Sequence, residues 1–132
     1  MTLLGLKSLE TRKLLEKVEA GFPYSTFERF QRNFELQTEE LANLVQIPLR
    51  TLSRRRESGA LTAEESDRLL RVSRVFGKTL ALFEGDVEAA RGWLSAPARA
   101  LANRTPLAVA VTGVGAREVE DLIGRLEHGV FS

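Results

Sequence analysis

The chain is expected to be all-α, and three features predict it. Apolar residues recur at spacings of three and four rather than alternating, and β-branched residues do not cluster. Most apolar stretches follow a residue suited to a helix start. Within that fold, 38–56 (TEELANLVQIPLRTLSRRR) reads as a helix, a tight turn and a second helix carrying Arg50, Arg54, Arg55 and Arg56. That is the outline of a helix-turn-helix.

Taken in order, Ser8 is placed to cap a first helix reaching about Ala20, with Leu14, Leu15 and Val18 as its apolar face and Gly21 as its stop. Ser25 and Glu28 have the spacing of a capping box for a second helix to about Leu36. Phe27, Phe30 and Phe34 share one face of it and are expected in the core. Thr38 opens the third helix, with Glu39 and Glu40 in the first turn, where carboxylates suit the positive helix end. Pro48 is placed to open the fourth, since its missing N–H is not needed there, and Ser58-Gly59 ends it. Thr62 with Glu65 is another capping box. It starts a long helix with an apolar stripe through Leu69, Leu70, Val72, Val75, Phe76, Leu80 and Phe83.

Gly85-Asp86 marks a break, and Asp86 is expected to cap a helix from Val87 to Leu94. Ser95 to Arg104 reads as a loop or broken turn around Pro97. Thr105-Pro106 caps a short helix that Gly113 and Gly115 punctuate, and Ala116 to His128 forms the last helix. Val119, Leu122, Ile123 and Leu126 lie on its inner face, and Gly129 ends it. The domain boundary is expected near Phe76 to Gly85, giving units 1–76 and 77–132.

The 132 residues suit one domain or two small helical units. The absence of cysteine excludes a disulfide framework and thiolate metal sites, and fits a reducing cytosol. A cytoplasmic location without membrane contact is expected, because no apolar run approaches the ~20 residues of a membrane span and the charged start is not a signal peptide. A formal net charge of +1 says little about nucleic acid, but the local cluster of arginines can hold phosphates.

In the helix-turn-helix, Ala42 supplies the small residue at the helix crossing, and Leu41, Val45, Ile47 and Leu52 stand where pinning contacts are needed. The turn is Val45-Gln46-Ile47. Many such turns carry glycine where Gln46 stands, because a left-handed backbone is often required. With Leu52 inward, Arg50, Ser53 and Arg54 point outward near the start of the recognition helix, where base edges are met. Arg50 and Arg54 suit guanine, and Thr51 and Arg56 suit phosphates. Arg55 falls on the partly buried side, placed to pair with an acid. Operator DNA is therefore the expected partner, read by a homodimer through two half-sites.

From Arg50 onward the chain resembles the Xre/MbcA/ParS group of type II antitoxins, which pair with RES-domain toxins. The resemblance rests on AARGWL at 89–94, NRTPL at 103–107, the 113–116 turn, Val119 and the ending RLEHGVFS. It covers nearly all of 50–132 and little of 1–37. The chain departs from the pattern at Ala98-Arg99, at Ala102-Asn103 where glycines are common, and within AVAVTGVGA. The resemblance implies an Xre/Cro-like helix-turn-helix unit that binds the operator of its own operon, followed by a small helical toxin-binding unit. The latter would cover the active site of a toxin that consumes NAD. It also implies no cofactor and no catalysis by the chain itself.

Candidate toxin contacts lie in the second unit. Trp93, the single tryptophan, suits either the core or an anchor in a partner. Arg104 suits either a helix cap or a partner contact. His128, the single histidine, suits a helix C-terminal cation and stands beside Gly129, so with no cysteine to join it no metal site is expected. Val130, Phe131 and Ser132 form an apolar ending, where chain ends are normally polar and frayed, and are assigned to a partner's cleft.

Two other functions compete. One is a stand-alone regulator whose second unit only dimerises or senses a ligand. The other is an enzyme, which is not expected: Ser53, Ser58, Ser66, Ser73 and Ser95 have cap, surface or loop roles, and a single histidine near the chain end makes a poor triad.

Overall fold

The structure, a computed structural model, describes residues 11–129, and every regular element among them is helical. The expected cap at Ser8 and the apolar ending Val130 to Ser132 lie outside the described residues. The chain forms two compact units that divide between Ser73 and Arg74, inside the long helix α5 (Ala63–Leu82).

In the first unit, α1 (Thr11–Ala20) buries Val18 but leaves Leu15 56% exposed, so its apolar face is narrower than the sequence suggests. Gly21 follows at φ +90°, and a Cβ there would run into the Leu61 carbonyl oxygen. Both the positive φ and the close approach require glycine. The same region is stitched by Leu61 N–H donating to the Phe22 carbonyl (2.9 Å) and Tyr24 N–H donating to the Gly59 carbonyl (2.8 Å). The buried Ser66 hydroxyl accepts from Phe22 N–H at 2.8 Å and donates to the Thr62 carbonyl at 2.7 Å, so no polar group is left unpaired there.

Helix α2 (Tyr24–Asn33) begins earlier than the expected Ser25–Glu28 box, which does not form; Pro23 occupies the cap position with extended backbone. Proline presets that geometry, and the pairing of its neighbours with 59–61 fixes where the helix starts. Phe27, Phe30 and Phe34 are buried as expected, with the last two rings 5.0 Å apart. In α3 (Thr38–Leu44), Thr38 is the first helical residue and Gln37 the cap, its N–H donating to Glu40 Oε1 at 3.1 Å. Pro48 likewise stands one position outside α4 (Leu49–Ser58), as its cap. The Thr62–Glu65 box forms in both directions, at 2.9 and 3.1 Å.

The second unit takes the later part of α5, where Val75, Phe76 and Thr79 are buried and the Thr79 hydroxyl donates to the Val75 carbonyl. Helix α6 (Val87–Leu94) is capped by Asp86, which accepts from Ala89 N–H at 3.0 Å. The segment after it contains a 3-10 turn, Arg99–Leu101, closed by pairing of Ala98 with Arg104. Thr105 caps α7 (Pro106–Val109), accepting from Ala108 N–H at 3.1 Å.

Helix α8 (Gly113–Glu127) starts three residues before the expected Ala116 and is capped by Thr112, so Gly113 and Gly115 lie in its first turn. Gly115 is there because the chain has no room for more: a Cβ would collide with the Val109 carbonyl oxygen. Val119, Leu122 and Ile123 fill the inner face of α8, and Lys78 meets Glu120 at 3.2 Å.

Candidate functional site

The first candidate site is built by α3, the turn 45–47 and α4. Leu41, Ala42, Val45, Ile47 and Leu52 are all buried, with Ala42 the small side chain of the set. Gln46 adopts φ +58°, the left-handed conformation anticipated for this turn. Its cost is met by backbone pairing: Ile47 N–H donates to the Ala42 carbonyl (2.9 Å), and Gln46 N–H donates to that of Asn43 (3.2 Å). Arg68 of α5 adds a contact the sequence did not signal. Its Nε–H donates to the Val45 carbonyl at 2.6 Å, at the negative end of α3. An arginine in an otherwise mixed helix gives no sign that its target is a backbone oxygen far along the chain.

The arginines of α4 sort into two roles. Arg50, Ser53, Arg54 and Arg56 are exposed, and Thr51 is half-buried. Arg54 Nη2 donates to Thr51 Oγ1 at 3.3 Å, and the Arg56 guanidinium lies 5.9 Å from the centre of the Tyr24 ring, within cation–π range. Arg55 instead turns toward α5 and makes two parallel bonds to Glu65, at 2.8 and 3.0 Å. Burial alone would raise the Glu65 pKa. The Arg55 guanidinium and the Thr62 N–H outweigh that, and the carboxyl is held below its usual range. Arg55 is thereby paired within the fold, while Arg50, Arg54 and Arg56 lie exposed at the surface. Glu57 shares the outward side two turns further on.

The candidate residues of the second unit occupy separate segments. Trp93 on α6 is half-buried, neither fully core nor fully free. Arg104 is exposed on the loop that closes against Ala98, and His128 and Gly129 are exposed at the end of α8. Ala102 and Asn103 both adopt positive φ, 57° and 64°, the left-handed region that favours glycine. Val114, 72% exposed on the first turn of α8, is an apolar surface residue that sequence reasoning passed over. Among the described residues, no helix is long and apolar enough to cross a membrane.

Comparison with known proteins covers both units. Residues 13–74 match the family described as "Antitoxin Xre-like helix-turn-helix domain", and residues 79–129 match "Antitoxin Xre/MbcA/ParS C-terminal toxin-binding domain". A protein named "Antitoxin Xre" from Yersinia enterocolitica is 38% identical over 130 residues, covering 98% of this chain and 88% of its own length. One of the same name from Photorhabdus laumondii is 35% identical over the same shares. A third, from Pseudomonas putida, is 37% identical over 84 residues, which is 63% of this chain and 52% of that protein.

Proposed function

The chain belongs to the Xre/MbcA/ParS family of antitoxins, with a helix-turn-helix domain followed by a toxin-binding domain, and on that premise we propose what each domain engages. The second domain, taken as 77–132, binds a RES-domain toxin that degrades NAD and neutralises it by covering the active site. Trp93, Arg104, His128, Gly129 and the ending Val130, Phe131 and Ser132 are assigned to that contact. The first domain, taken as 1–76, binds the operator of its own operon as a homodimer and represses it. Arg50 and Arg54 take guanine edges, Ser53 lies between them, and Thr51 and Arg56 hold phosphates. The chain works by binding in the cytoplasm, without catalysis of its own.

The observation that carries this reading is the order of the two matched segments along one chain, 13–74 then 79–129. Exposure of Arg50, Ser53 and Arg54 on α4, with Arg55 withdrawn to Glu65, supports the DNA half of it. The test is co-expression with the product of the adjacent gene. Restored growth and a complex recovered by pull-down are expected. A neighbour that stays toxic and unbound overturns the proposal and leaves a stand-alone regulator.

A further inference from the structure

Leu49 is the first residue of α4 and is 47% exposed, whereas Val45, Ile47 and Leu52 around it are buried. Helical spacing sets Leu49 above Ser53, beside the column of Arg50 and Arg54. The outward patch therefore pairs one apolar side chain with two guanidinium groups. Residues at the start of a recognition helix come closest to base edges. The major groove offers one apolar feature, the C5-methyl group of thymine.

Resting on the DNA-binding function proposed for the first domain, we propose that Leu49 reads a thymine methyl group next to a guanine taken by Arg50 or Arg54. The patch then selects a half-site containing both bases. A polar or charged residue at 49 would favour phosphate or a base edge and would leave that methyl group unread.

The test begins by enriching bound duplexes from a random pool with the purified full-length chain. Each thymine of the enriched half-site is then replaced in turn by deoxyuridine, which lacks only the methyl group. Affinities for wild type and Leu49→Ala are compared by fluorescence anisotropy at fixed salt. One replacement is expected to weaken the wild type about fourfold per half-site, the value of one buried methyl group. Leu49→Ala is expected to lose a similar factor on the thymine duplex and to be insensitive to deoxyuridine at that position.

Equal deoxyuridine losses in wild type and variant overturn the inference, as does a half-site with no sensitive thymine. If no duplex is enriched at all, the DNA reading itself fails and takes this inference with it. That result is distinct from the others. An unchanged thermal unfolding midpoint for Leu49→Ala keeps a folding defect apart from a lost contact.

Discussion

Arg55 of the recognition helix and Glu65 of α5 meet through two parallel hydrogen bonds, 2.8 and 3.0 Å long, and Glu65 accepts a third from Thr62 N–H. One carboxylate thus caps α5 and fixes α4 against it. The arginine run thus divides into a structural member, Arg55, and the exposed Arg50, Arg54 and Arg56.

Replacing Glu65 by Gln should destabilise the chain by about 1–3 kcal/mol, because a charge-assisted pair is lost and the guanidinium is left partly buried without its partner. The pH dependence has a definite sign. The folded-state pKa of Glu65 lies below its ordinary value, so its contribution is fully present above the usual carboxylate range and is lost as pH falls through the folded value. Urea denaturation from neutral to acid pH should show that slope in the wild type and a flatter one in Glu65→Gln. Equal slopes would mean that the pair adds nothing to folding.

Arg50→Ala combined with Arg54→Ala should weaken operator binding by about 1–3 kcal/mol for each guanine contact removed while leaving the unfolding midpoint unchanged. Arg55→Ala should act chiefly on stability instead. Anisotropy titrations at one salt concentration, beside thermal melts of the same variants, separate the two. Unchanged affinity in the double variant would show that α4 does not read the duplex.

Gln46→Gly should stabilise the chain by about 0.5–1 kcal/mol, because a side chain now held at φ +58° would give way to a residue that adopts the conformation freely. Ala102→Gly, at φ 57°, should act in the same direction. Thermal or urea unfolding measures both, and a loss of stability at either position would mean that its side chain makes a contact worth more than the backbone penalty.

These positions also show what was legible in the sequence. The caps at Thr62, Asp86 and Thr105 join groups three residues apart, so local spacing revealed them. The left-handed turn at Gln46 was legible because the geometry between the two helices demands it whatever residue is present. The start of α2 was not, since it depends on Pro23 lying beside Ala60, and neither was the bond from Arg68 to Val45. Both are long-range contacts that no window of neighbouring residues contains. Leu15 looked like core because it shares a stripe with Val18, but periodicity gives the face of a helix and not how much of that face is covered.

Removing Val130 to Ser132 should impair neutralisation of the toxin while operator affinity stays at the wild-type level. The argument is chemical: Val130 and Phe131 are apolar and follow the exposed His128 and Gly129. Growth of cells carrying the toxin with the shortened chain measures the first effect, and an anisotropy titration the second. Full rescue of growth would remove these residues from the toxin contact.

Gly115 and Gly124 share helix α8 yet should respond to alanine with opposite signs. At Gly115 an added Cβ would collide with the Val109 carbonyl oxygen and come within 3.0 Å of Thr112 Oγ1. Val109 ends α7 and Thr112 caps α8, so neither can retreat without opening the junction of the two helices. Gly115→Ala should therefore lose about 1–3 kcal/mol through overpacking. Gly124 has nothing within 4 Å of the same added atom and lies inside the helix, so Gly124→Ala should gain about 0.5–1 kcal/mol from helix propensity and a less flexible unfolded chain. Urea denaturation of the two variants beside the wild type gives the comparison. If Gly115→Ala were as stable as the wild type, α7 and α8 would not be packed as closely as the Val109–Gly115 approach requires.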